Sequence, residues 1–194
     1  MNTVEVPHKV TYLMRGFAQP WFIAGGWAID LYLGRITRAH KDIEIAILRK
    51  DQLILHTYLQ GWELKKIIPK TDGRVVIWNK NEKLELPVHE IHGHNTNCDP
   101  AHLEILLNES DGANWIFRRN PQITRPLSKI EYRTKESVPF LAPEIVLLYK
   151  STYATQNDHA DFHTVINVLG KECQNWLRQA IEKSYPKHEW LNRL

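Results

Sequence analysis

The chain has 194 residues, 43% hydrophobic and 24% charged, enough apolar material for one sizeable core and suited to one domain with a small appendage. Its formal net charge of +3 sets up no basic field that would argue for nucleic acid, and no apolar run approaches the roughly 18 residues of a membrane span. Cys98 and Cys173 follow no framework spacing, and the opening MNTVEVPHKV lacks the apolar core of a secretion signal. A reduced, cytoplasmic setting without a membrane partner is therefore expected.

Residues 3–17 carry Val10, Leu13, Met14 and Phe17 on one helical stripe, which assigns them to packing. Ile23-Ala24-Gly25-Gly26 reads as a buried strand ending in a turn, where glycines let backbone approach backbone or a phosphate. A helix through Trp27, Ala28, Leu31 and Tyr32 follows and stops at Gly34. The loop after it holds Arg35, Arg38 and His40, immediately before a strand carrying Asp42 and Glu44. Two carboxylates at i and i+2 on a strand share a face about 6.5 Å apart along the backbone, and so can grip a cluster of hard cations. Two-metal sites of that kind hold ions about 3.5–4 Å apart and clamp the oxygens of an in-line displacement. The neighbouring cations suit a polyphosphate bridging to metal.

A second amphipathic helix runs from Arg49 through Leu53, Leu55 and Leu59 to Gly61. Strands are expected at Trp62–Leu64 and at Arg74–Trp78, the latter entered through Asp72-Gly73, giving a mixed sheet with helices on one side. The alternation Leu84, Leu86, Val88 predicts a strand running into a polar, histidine-rich turn with His89, His92, His94, Cys98, Asp99 and His102. His-x-x-His-x-His is compatible with zinc, and a histidine-rich turn is the alternative. Along 101–107, Leu103, Ile105 and Leu107 share one face of a strand while Glu104 sits on the other. A carboxylate in so apolar a strand needs a cation, a metal or solvent at its end.

Trp115, Phe117, Arg118 and Arg119 extend the sheet into a basic tip, and the Pro-spaced segment 121–139 reads as loop with one strand. Pro143 opens a helix over 143–153 that carries Lys150 beside apolar neighbours. Asp158 caps a further helix, packed through Val165, Ile166, Val168 and Leu169, and residues 174–183 form the last one.

The order Gly25, Gly26, Trp27, then Asp42, Ile43 and Glu44 resembles the nucleotidyltransferase superfamily that includes the aminoglycoside adenylyltransferases, in which a Gly-Gly or Gly-Ser turn and helix precede an Asp-x-Asp or Asp-x-Glu strand. The run GGWAID…LGRITRAHKDIEIAILRKDQ is similar, more narrowly, to the aminoglycoside 2''-adenylyltransferase-like branch, as are LEILLNESDGANWIFRR and LAPEIVLLYKS. The resemblance implies an α+β, palm-like mixed-sheet core over residues 1–140 and a small C-terminal helical bundle over 141–194. It implies metal-dependent transfer of a nucleoside monophosphate, AMP, from an NTP to a hydroxyl of a small molecule such as an aminoglycoside-like antibiotic, with release of pyrophosphate. Two Mg²⁺ would sit on Asp42 and Glu44 with Glu104 as a third ligand, and Glu104 would deprotonate the acceptor. Gly25, Gly26 and Trp27 would meet the nucleotide, with Arg38, His40 and Lys150 on its phosphates.

This chain departs from the family pattern in two places: it has Glu104 where Asp is common, and Gln156-Asn157 replaces a basic approach to Asp158. Three rivals stand beside this reading: nucleotidylation of RNA or protein, a non-catalytic nucleotide-binding module, and a zinc hydrolase built on the histidine segment. An aminoglycoside acceptor calls for an acidic cleft, with Glu82, Glu85, Glu90, Asp99, Glu109 and Asp111 available to supply it.

Overall fold

The apolar stripe near the start forms α1 (Glu5–Met14), with Val10 and Met14 buried. The computed structural model describes residues 5–69 and 74–194, so the first residues of the expected helix and the Asp72-Gly73 turn lie outside it. In chain order there follow β1 (Trp21–Ile23), α2 (Gly25–Leu33), β2 (Glu44–Leu48), α3 (Gln52–Tyr58), β3 (Glu63–Ile68), β4 (Arg74–Ile77), β5 (Glu90–His94), β6 (His102–Asp111), β7 (Asn114–Ile116), β8 (Thr124–Pro126), β9 (Glu131–Arg133) and β10 (Pro139–Leu141). The chain closes with α4 (Pro143–Lys150), α5 (Gln156–Val165) and α6 (Lys171–Ser184).

Among the described residues the strands form one mixed sheet in the order β4-β3-β5-β6-β2-β1-β10-β9, with β7 and β8 branching from the end of β6. β2 runs parallel to β6 and antiparallel to β1, and β5 is antiparallel to β6. This is the mixed sheet with helices that the residue pattern implied. Ile45, Ile47, Leu103, Ile105 and Leu107 are buried, so one face of the β2–β6 pair is committed to the core. α4 packs against α2, α5 and α6. It is pinned to the sheet by an ion pair between Glu144 in its first turn and Arg125 on β8 (2.5 Å), both buried. An unpaired charge at that depth would cost several kcal/mol, so the two residues fix where α4 presents its far end.

Five local expectations change. Gly25 and Gly26 are not a turn before the helix but its first two residues, with Ala24 as the N-cap. Leu84, Leu86 and Val88 do not form a strand. Leu84 is buried with its backbone N–H donating to Gln52 Oε1 (2.6 Å) and its carbonyl accepting from Gln52 and Arg49, so side chains take the place of a ladder. The segment that follows is not a histidine-rich turn, since Glu90–His94 is β5, inside the sheet. Between residues 121 and 139 the chain contributes β8 and β9 and enters β10, where one strand was expected, and Val168 is exposed rather than packed.

Candidate active site

Glu44 opens β2, and the parallel register sets it directly opposite Glu104 on β6. On the other flank of β6, His92 of β5 lies opposite Glu104. Alternation along the strands then puts Glu90, His92 and His94 of β5 on the same face as His102 and Glu104 of β6. His92 Nε2 is 2.8 Å from Glu90 Oε1 and 3.8 Å from Glu104 Oε1, and Glu90, His92 and Glu104 each offer a ligand atom within 4.8 Å of one another. Further along, the facing rings of His94 and His102 bring their Nδ1 atoms to 3.1 Å.

The acids on this face are not matched by cations. Burial, with Glu44 opposite and Asp42 and Glu90 nearby, pushes the Glu104 carboxyl up to about 7. Burial likewise raises Glu44, against the opposing pull of Lys150. A set of carboxylates held at such mutual cost fits a divalent cation, and an oxygen-dominated donor set fits a hard one. His92 is the single nitrogen donor beside it.

The two acids of the Glu44–Glu104 pair line different cavities. The first, about 260 Å³, is bounded by Gly25, Glu44, Glu90 and Asn108 on the sheet side, by Tyr149 and Lys150 of α4, and by Arg118 and Arg119. Both guanidiniums lie over the Tyr149 ring, at 5.4 and 5.5 Å, and burial lowers the pKa of Arg118. The second cavity, about 550 Å³, contains Asp42 and Glu104 with Trp27, His40, Lys41, His92 and His102, and is walled by Val6, Ile43, Pro100 and Leu103.

Beside the first cavity stands the N-terminus of α2, where backbone N–H groups without partners favour an anion. Gly25 has φ +57°, and a Cβ there would fall 1.5 Å from Glu44 Oε2, so only glycine lets the carboxylate lie against the helix start. At Gly26 a Cβ would meet Arg38 Nη2 at 2.4 Å and the His40 ring at 2.6 Å. Arg38 is held by Asp161 of α5 through two parallel bonds, Nε to Oδ1 and Nη2 to Oδ2, both 3.0 Å. Lys150 pairs with the same Asp161 (3.1 Å) and with Asp158. His40 Nε2 lies 2.6 Å from Asp30 Oδ2, and the other oxygen of Asp30 accepts from the backbone and hydroxyl of Thr37.

The expected site residues thus gather in one region with distinct neighbours. Gly25, Glu44 and Lys150 line the first cavity, Asp42, Glu104, Trp27 and His40 line the second, and Gly26 carries Arg38 and His40 on its surface. Trp27 is buried, its indole N–H donating to the Asp42 carbonyl (3.1 Å) and its ring against His40, so it steadies the strand entry. Asp158 is part of a capping box with Thr155 and also grips Lys150. Sequence reasoning missed Asp161 and Asp30 as holders of the cations, and it missed His92 as the neighbour of Glu104.

The acids considered for a cationic acceptor do not converge. Glu82 pairs with Lys66, Glu85 with Lys83, Glu109 with Arg49 and Asp99 with Lys9, while Asp111 sits at the far end of β6. Glu90 alone of the six lines the first cavity, bonded to His92.

A mixed sheet with facing carboxylates beside a glycine-opened helix defines a nucleotidyltransferase fold. The crystal structure of ANT(2'')-Ia in complex with adenylyl-2''-tobramycin superposes with a TM-score of 0.62 over 94% of this chain and 99% of that one, at 14% identity. The lincomycin-bound lincosamide adenylyltransferase LnuA superposes at 0.55 over 84% and 97%, at 19% identity. The sequence profile of the aminoglycoside-2''-adenylyltransferase family matches residues 7–165, and the chain belongs to that family. A 2''-aminoglycoside nucleotidyltransferase from Escherichia coli is 33% identical over 104 residues, 52% of this chain and 51% of the relative, so the match spans about half its length. A lincosamide resistance protein from Staphylococcus haemolyticus is 26% identical over 82% of this chain and 86% of its own.

Proposed function

We propose that the protein transfers a nucleoside monophosphate, AMP in the first instance, from an NTP to a hydroxyl of a small antibiotic-like acceptor and releases pyrophosphate. The observation that carries this is the Glu44–Glu104 pair, two opposed carboxylates each turned to a different cavity, beside a helix N-terminus opened by two glycines. A donor on one side and an acceptor on the other would meet at the acids.

In this reading the triphosphate lies against the α2 N-terminus, with Lys150, Arg118 and Arg119 about the first cavity and Arg38 over Gly26. Asp161 keeps Arg38 and Lys150 in place, and Asp30 does the same for His40. Asp42, Glu44 and Glu104 are the Mg²⁺ ligands, two ions being the expected number, with Glu90 and His92 adjoining. When bound, Mg²⁺ neutralises phosphate charge and orients the donor. Glu104, which lines the second cavity, would accept the acceptor's proton. Tyr149 and the two arginines form one part of the first cavity's lining. The division into a core to about residue 140 and a helical segment beyond it belongs to the same proposal, since α4 and α5 bring Tyr149, Lys150 and Asp161 to the sheet.

The test is pyrophosphate release from a panel of NTPs against pooled hydroxyl acceptors, parent against Asp42→Asn. Release that depends on acceptor, Mg²⁺ and Asp42 supports the proposal. NTP binding without turnover for any acceptor would instead favour the nucleotide-binding module.

A further inference from the structure

The second cavity bears on what kind of acceptor enters. Once Asp42 and Glu104 are committed to the ions, the acid left on its lining among the described residues is Asp99, and Lys9, which also pairs with Glu5 (2.7 Å), pairs with it at 2.8 Å. The other ionisable groups there are Lys41, His40, His92 and His102, of which His40 is tied to Asp30. Val6, Trp27, Ile43, Pro100, Ala101 and Leu103 make the rest of the wall apolar. Binding a polyamine takes several carboxylates free to replace its hydration, and a lysine close by repels it.

We propose, resting on the reading above, that the acceptor is a hydroxylated molecule with an apolar face and at most one positive charge, and that Lys9 and Lys41 select against polycations. Lys9 acts by occupying Asp99, and Lys41, exposed on the cavity lining, acts by its own charge. Both lie outside the machinery assigned above, so they tune which acceptor binds without touching the donor.

The experiment is titration calorimetry on the full chain with Mg²⁺ and a non-hydrolysable NTP, using tobramycin as the polyamine probe and lincomycin as the singly basic one. The parent should bind lincomycin more tightly than tobramycin, with tobramycin affinity gaining little as salt is lowered. Lys9→Ala and Lys41→Gln should each raise tobramycin affinity roughly two- to five-fold, the scale of one exposed charge, and leave lincomycin unchanged. Tobramycin binding the parent more tightly, with affinity climbing as salt falls, overturns the inference, and so does indifference of tobramycin to both substitutions. If the NTP analogue itself fails to bind in Mg²⁺, the proposed transferase activity falls, an outcome separate from the acceptor preference.

Discussion

Two groups of acids in the candidate site are built on opposite principles. Asp30 and Asp161 are buried, and every oxygen has a cation or hydrogen-bond donor against it: Thr37 and His40 for one, Arg38 and Lys150 for the other. Glu44 and Glu104 face each other with Asp42 and Glu90 close by, and their carboxyls are pushed upward. A matched acid restrains its partners, whereas an acid kept beside other acids sits where a divalent cation would be favoured. On the proposed function, the first group positions and the second reacts.

Asp42→Asn should abolish turnover, because a neutral amide is a poor ligand for a hard divalent ion. The same variant should melt at an equal or higher temperature without Mg²⁺, since removing one clustered charge relieves repulsion. A variant that unfolds would move Asp42 to the structural group. Glu104→Gln should cut single-turnover rates by roughly 10²–10⁴ while NTP affinity in Mg²⁺ stays within a few-fold, if its main task is the proton. Affinity falling in step with rate would make it chiefly a metal ligand.

Asp161→Asn probes the matched group. It should raise KM for the NTP about ten- to hundred-fold with a smaller change in kcat, because Arg38 and Lys150 lose their anchor. It should also lower stability by about 1–3 kcal/mol from the unbalanced buried cations. An unchanged KM beside lost stability would leave Asp161 as packing alone.

The mismatched group predicts a dependence of stability on pH. The folded chain keeps the Glu104 proton to about 7, whereas the ordinary carboxyl value is 4.5. Between those values the native state binds more protons than the unfolded one, so stability falls as pH rises through the window and the loss is complete above it. After allowing for partial exposure the effect is on the order of 1–2 kcal/mol, a melting shift of about 4 °C, which saturating Mg²⁺ at alkaline pH should reverse and Glu104→Gln should erase. A melting temperature that rises across the window would show the pair to be already matched. Smallest is Thr155→Ala, which removes the α5 cap and should cost about 1 kcal/mol with little change in KM.

Much of this was legible in the residues. The β2 and β6 alternations placed Glu44 and Glu104 on their strands, and Pro143 marked the start of α4. What hid was long-range or irregular. Arg38 and Asp161 are 123 residues apart, and no local period announces that partnership. The Leu84–Val88 alternation mimicked a strand because Leu84 is buried for another reason, its backbone satisfied by Gln52 and Arg49. β5 was disguised by its polar composition: His92 and His94 read as turn residues, and only the register with β6 reveals that they and Glu90 form the polar face of a sheet.

Position 26 has a consequence for how such a chain can change over generations. The space a side chain would need there is already filled by Arg38 and the His40 ring, which arrive from a loop a dozen residues later. The Gly-Ser pair that the superfamily also uses is therefore closed to this protein unless Arg38 and His40 move, and they in turn are bonded to Asp161 and Asp30. Five positions spread from 26 to 161 are thereby linked by contact. Descendants should alter them together or leave them alone, so a substitution at Gly26 tolerated in a relative is expected to come with changes at the loop and at α5.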